Sequence, residues 1–194
     1  MLGNIERVSD VFLTKSVYST VISVLTGVFA VAFPFLPRHL SLVSALTIGI
    51  PGFFLALMPN KERFRPGFFK RVLVFAVPAG LIAAASAWTS YAIALWVGEP
   101  VLSAQQGATV TLFIVATGVL AISARPLNPV RWSIIFGMVG AFALVLYVPF
   151  LSEFFALTLS PEPYSLVAVA VGAVGALAVW IAGVIADRWR RAGA

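Results

Sequence analysis

The sequence predicts an all-α membrane protein with six transmembrane helices paired as three hairpins, both termini cytoplasmic, and the second helix interrupted at Gly49–Pro51. Three observations predict it. Of the 194 residues, 61% are hydrophobic and 10% charged, with a mean hydropathy of +1.03, whereas soluble domains carry about a quarter charged residues. Apolar runs of membrane-crossing length alternate with short polar connectors, and no polar tract is long enough for a folded soluble domain. With the N-terminus inside, every Lys and Arg except Arg38 falls on the inner side, which is the positive-inside pattern.

The chain reads as one membrane domain over residues 1–194, with spans at about 11–33, 40–58, 72–97, 107–123, 132–151 and 165–185. Asp10 is positioned to cap the first span. Ala30-Val-Ala32 superficially fits a signal-peptidase site, but the apolar run before it is too long. Ser16, Thr20, Ser23 and Gly27 recur at helical spacing with Ser19 alongside, giving a small, hydroxylated face suited to packing against another helix. Lys15 lies near the inner end and can snorkel. The turn Pro34–His39 joins the first span to the second. His39 is the one histidine of the chain and has no carboxylate close in sequence, so it reads as an interfacial residue.

The second span holds Gly49-Ile50-Pro51-Gly52 in its interior. Pro51 has no N–H, so the Thr47 carbonyl loses its helical partner, and Gly49 and Gly52 loosen the backbone. Lipid cannot satisfy a freed carbonyl, so protein, water or an ion must. Ser44, Thr47 and Pro51 stand at i, i+3 and i+7, which puts two hydroxyls and the freed carbonyl on roughly one face. Transporters build cation sites from such interruptions, and many proline kinks only shape packing.

Lys61, Arg63, Arg65, Lys70 and Arg71 against Glu62 make the loop after this span the strongest inner marker. The third span carries Trp88, Tyr91 and Trp96 toward its outer end, as interfacial aromatics do. The connector from Glu99 to Gln106 has no cation, and Thr109, Thr111 and Thr117 on the fourth span are too scattered for a site. Arg125 and Arg131 bracket the next inner turn, and Glu153 and Glu162 mark the last outer one. In the final span Ala168, Gly172 and Ala176, then Gly175, Val179 and Gly183, form close-packing ridges before a basic tail.

Several classes of chemistry are excluded. The chain has no cysteine, hence no thiol catalysis, disulfide or thiolate metal site. Each acid falls at a loop or membrane edge, so no proton relay or carboxylate cation site is readable. No Ser-His-Asp set, His-Glu-x-x-His helix or Walker loop occurs. The net charge of +6 is segregated by loop and reads as topology, with no nucleic-acid partner.

The runs Asn4-Ile-Glu-Arg-Val-Ser-Asp-Val-Phe-Leu-Thr-Lys-Ser-Val-Tyr18, Pro34-Phe-Leu-Pro-Arg-His-Leu-Ser-Leu-Val-Ser44 and Leu46-Thr-Ile-Gly-Ile-Pro-Gly-Phe-Phe-Leu-Ala-Leu57 resemble the C-terminal membrane half of P-type cation-transporting ATPases, most of all their calcium-linked mycobacterial branch. The resemblance covers essentially the whole chain, and its first two spans are the specific part. It implies that the six spans are the fifth to tenth membrane helices of a pump, and that the Gly-x-Pro bend is where the sixth unwinds around the cation. The family's Asp-Lys-Thr-Gly-Thr phosphorylation motif, nucleotide-binding domain and Thr-Gly-Glu actuator loop are absent from these residues. ATP and magnesium would therefore act only through missing domains, and the chain would be a fragment, a split half or a truncated relative.

Matching Gly49-Ile50-Pro51 to the Gly-Leu-Pro of animal calcium pumps puts Ser44 at their Asn and Ile48 at their Asp. The matching first-span positions fall near Ser16 and Ser19 or Thr20. The resemblance thus implies a cation path along Ser16, Ser19, Thr20, Ser44, Thr47 and Pro51, with Ser44 and Thr47 as metal ligands and Gly49, Pro51 and Gly52 as the helix break. Neutral oxygens suit calcium or magnesium but bind them weakly, so carboxylates from the missing fourth helix would complete the site. The implied partners are the lipid bilayer and the missing N-terminal pump portion, in the same chain or a separate one, at the plasma membrane. Two rival readings are a stand-alone packing or regulatory membrane protein and an ATP-independent cation carrier.

Overall fold

The structure is a computed structural model describing residues 2–57, 68–158 and 163–192. Backbone N–H and C=O groups in lipid must be satisfied within their own segment, so apolar runs of this length become helices. They do so here: α1 (Leu2–Phe29), α2 (Pro37–Ser44), a π-helical turn (Ala45–Gly49), α3 (Ile50–Leu57), α4 (Phe68–Trp96), α5 (Val101–Ser123), α6 (Pro129–Tyr147), α7 (Pro149–Phe155) and α8 (Pro163–Ala192). Among the described residues there is no strand, and six helical segments are long and apolar enough to cross a membrane. Lys61, Glu62, Arg63, Arg65, Glu162 and Met58 lie outside the described residues.

Helix ends depart from the hydropathy reading where local chemistry overrides it. α1 stops at Phe29, short of residue 33, because Ala30 takes a left-handed conformation (φ 49°) although the run stays apolar. α1 also begins at Leu2, so Asp10 lies inside the helix and is no cap. Pro37 opens α2, where its missing N–H costs nothing. α5 starts at Val101, so Gln105 and Gln106, read as connector, belong to its second turn. Asn128 caps α6 by accepting the Arg131 N–H at 2.9 Å. Pro149 then divides the fifth apolar run, following the end of α6 and opening the short α7.

α4, α5 and α8 pack on one another, α1 lies along α4, and α2, the π-turn and α3 sit against α1, α5 and α6. α5 is the most enclosed span. Small residues set the approach distances. A Cβ at Gly80 of α4 would meet the Thr14 carbonyl of α1 at 2.9 Å, and one at Gly172 of α8 would meet Ile114 Cδ1 of α5 at 2.9 Å. A Cβ at Gly183 would meet Ile122 Cδ1 at 3.0 Å. Phe113 of α5 and Phe142 of α6 stack at 3.8 Å. Arg125 and Asp187, both partly exposed, pair at 3.5 Å between the ends of α5 and α8.

Candidate functional site

Pro51 shapes the second span, although not by breaking it. The helix runs on to Leu57 and absorbs the proline by widening: Ala45–Gly49 is π-helical, and the Ile50 N–H donates to Ala45 O, five residues back. A π-turn is rare and recurs at functional sites. A donor at position 51 would have served the Thr47 carbonyl in an α-helix or the Leu46 carbonyl in a π-helix, and Pro51 serves neither. Leu46 and Thr47 are both buried, away from any water that might replace it.

The side chains of this turn divide into two kinds. Thr47, 1% exposed, donates its hydroxyl to Val43 O at 2.7 Å. Ser44 has its Oγ buried with no hydrogen-bond partner among the described residues. Ile48 and Pro51 are buried, and Gly49 is exposed. Gly52 lies against α1, where a Cβ would touch Val8 Cγ2 at 4.0 Å.

α1 presents two polar faces, and the structure buries the one that sequence reading passed over. Arg7, Asp10, Thr14 and Tyr18 are buried, spaced a turn apart. Thr14 donates to Asp10 O at 2.7 Å, and Tyr18 Oη is buried without a partner among the described residues. Thr14, Tyr18, Thr47 and Ile48 meet around a cavity of about 10 Å³ closed off by Ala83, Ala116 and Val119. That volume suits one water at most. With Thr14 and Thr47 hydroxyls turned to backbone carbonyls, its wall is mainly apolar.

Ser16, Thr20 and Ser23 lie exposed on the other face, with Ser19 half-buried. The Ser16 hydroxyl donates to Phe12 O at 3.2 Å and that of Thr20 to Ser16 O at 2.8 Å. A Cβ on Gly27 would meet nothing within 4 Å. The small, hydroxylated stripe is therefore uncovered by the described residues. Ser44, Thr47 and Pro51 lie along the π-turn span with the Ser44 Oγ enclosed and Thr47 and Pro51 buried, while Ser16, Ser19 and Thr20 lie on the α1 surface.

Asp10, Thr14 and Tyr18 were missed although their i, i+4, i+8 spacing was as visible as that of Ser16, Thr20 and Ser23. His39 was read as interfacial and is fully buried at 0% exposure, because distant segments fold over it. Among the described residues no three His, Asp or Glu side chains gather to hold a metal.

The calcium-transporting ATPase CtpE of Mycolicibacterium smegmatis is 35% identical to this chain over 98% of the chain's length and 26% of its own. Proteins of the same name from Mycobacterium bovis and Mycobacterium tuberculosis are each 36% identical over 92% of the chain and 24% of their own length. The chain is a homologue of the C-terminal membrane segment of P-type cation-transporting ATPases. It spans about a quarter of the length of the curated relatives it matches. Over that stretch the chain has six helical segments long and apolar enough to cross a membrane. No protein-family profile matches the chain.

Proposed function

We propose that this chain forms the ion-path and supporting membrane portion of an ATP-driven cation transporter whose cargo is a divalent cation, calcium first. The observation that carries the reading is the π-turn ahead of Pro51, with a buried Ser44 oxygen lacking a partner among the described residues and no N–H at position 51 to serve the Leu46 or the Thr47 carbonyl, in a homologue of calcium-transporting ATPases. Carbonyl and hydroxyl oxygens are hard ligands suited to calcium or magnesium. Ser44 and Thr47 supply them from the second span, with Ser16, Ser19 and Thr20 along the first. Neutral oxygens hold a divalent ion weakly, so carboxylates from outside these residues complete the site.

The six spans correspond in this reading to the fifth through tenth membrane helices of the whole transporter. Both termini and the loop containing Lys61 and Arg71 face the cytoplasm of a plasma-membrane protein. The uncovered face of α1 receives the missing N-terminal portion, which also brings ATP, magnesium and the phosphorylation site. In membranes containing this chain together with that portion, calcium-dependent phosphoenzyme should form, and with this chain alone it should not. Phosphoenzyme that formed equally well without the chain would remove it from the ion path.

One observation favours a second reading. Thr14 and Thr47 donate to backbone carbonyls and the cavity between them is water-sized, as in a helix seam that binds no ion. A packing role predicts that Ser44→Ala and Thr47→Val leave the calcium dependence of the phosphoenzyme unchanged.

A further inference from the structure

At the far end of the bundle from the start of α1 lies a polar cluster that cation passage does not use. His39, in the first turn of α2, meets three separate segments. Its Nδ1 accepts the Leu36 N–H at 3.3 Å and lies 3.0 Å from Thr109 Oγ1 on α5. Its Nε2 lies 3.3 Å from the Ala156 carbonyl just after α7. Gln106 donates to the same carbonyl at 2.9 Å, Gln105 to Phe33 O at 2.7 Å, and Arg38 to Phe154 O at 3.1 Å. One imidazole thus joins the head of the π-turn span to the α1–α2 turn, to α5 and to the segment after α7.

The hydrogen positions follow from the donors. The Leu36 N–H can be accepted only by an unprotonated Nδ1, so the neutral ring carries its proton on Nε2 and donates it to Ala156. A second proton has to enter at Nδ1, where it faces the Leu36 N–H, donor against donor. Thr109 Oγ1 can accept that proton while its own hydrogen goes to Gln105 O at 2.7 Å. The acid form therefore gives up the N–H of Leu36, the residue at the N-cap position of α2.

Among the described residues no partner of the ring is a carboxylate. Arg38 on the same helix is the charged group acting on it. α5 presents Gln105, Gln106 and Thr109, the α1–α2 turn contains no titratable side chain, and Glu153 on α7 is exposed. A charge enclosed there is costly, which favours an arrangement in which the ring reaches water.

We propose that His39 is a pH-operated latch: neutral, it fastens the head of the second span to α5 and to the segment after α7, and protonated, it releases that head. By the charge distribution this end faces outward, so external acid frees the span whose other half holds the π-turn. The latch does not depend on the chain carrying a cation.

The chain has no cysteine, so a single introduced thiol reports on opening. Leu157, 1% exposed beside Ala156, is closed in with the latch, and Trp96, 88% exposed, supplies the reference. The full chain in lipid vesicles, carrying Leu157→Cys or Trp96→Cys, is labelled with a methanethiosulfonate, and the ratio of the two rates cancels the reagent's own pH dependence. Between pH of about 7.5 and about 5 the ratio should rise roughly fivefold or more, and His39→Gln should flatten it. Leu36→Pro deletes the opposing N–H at a position whose φ of −78° proline tolerates, and it should shrink the rise with His39 in place. A flat ratio in the otherwise unaltered chain, or the same rise in His39→Gln, would overturn the proposal.

Discussion

Ser44 and Tyr18 each bury a hydroxyl oxygen with no partner among the described residues. Such a group is tolerated at a cost, and removing it is neutral or favourable when nothing binds there. Ser44→Ala should leave the stability of the isolated chain unchanged or raise it by up to ~1 kcal/mol in thermal unfolding in detergent. In the assembled transporter, losing that oxygen should weaken calcium about fivefold, the equivalent of ~1 kcal/mol. Tyr18→Phe should likewise be neutral or slightly stabilising, and a loss beyond ~1 kcal/mol would mean that an ordered water satisfies the phenol in the cavity. Ser44 and Thr47 were legible because the proline pointed to them from a fixed distance along the helix. Asp10 and Tyr18 were not, since helical spacing names the residues that share a face and leaves open which face meets a neighbour. The burial of His39 was not legible for a related reason: its partners Thr109 and Ala156 stand 70 and 117 residues away.

At the scale of the element, the π-turn is what Pro51 imposes on a span with no water to absorb the defect. Pro51→Ala restores an N–H for the Leu46 or Thr47 carbonyl. The turn should relax to α-helix, the chain should gain on the order of 1–3 kcal/mol, and the new amide at position 51 should be protected in hydrogen exchange. Transport by the assembled protein should fall. An unprotected amide with unchanged stability would mean that the surrounding packing, and not the proline, sets the π-turn. The glycines give a matched pair of outcomes. Gly80→Ala forces a Cβ against Val17 and the Thr14 carbonyl and should destabilise the α1–α4 contact by about 1–3 kcal/mol. Gly137→Ala on α6, where a Cβ meets nothing within 4 Å, should gain up to ~1 kcal/mol of helix propensity. The ridges of α8 were readable as small residues at helical spacing, and they do lie against Ile114 and Ile122 of α5. The division of the fifth apolar run into α6 and α7 was not read, because hydropathy is continuous across Val148–Pro149 and the proline was passed over.

For the whole molecule, six helices follow from hydropathy because an apolar chain in lipid has few ways to satisfy its backbone. Their arrangement does not follow, since lipid and protein are equally apolar neighbours and close packing of small residues decides which helices meet. The placement of α1 along α4, and of α5 at the centre, depends on Gly80, Gly118 and Gly172 finding particular partners. The resemblance to P-type ATPases was most specific in three runs of the first two spans, and the CtpE relatives match over 92–98% of the chain. In the proposed function the π-turn span lines a calcium path. Its most direct test is ATP-driven uptake of radioactive calcium into vesicles containing this chain and the catalytic portion, comparing the unaltered chain, Ser44→Ala with Thr47→Val, and Ser133→Ala on exposed α6 as control. The double variant should raise the half-saturating calcium concentration about tenfold, or ~1.4 kcal/mol, with the control unchanged. A double variant that takes up calcium with unaltered affinity would contradict it.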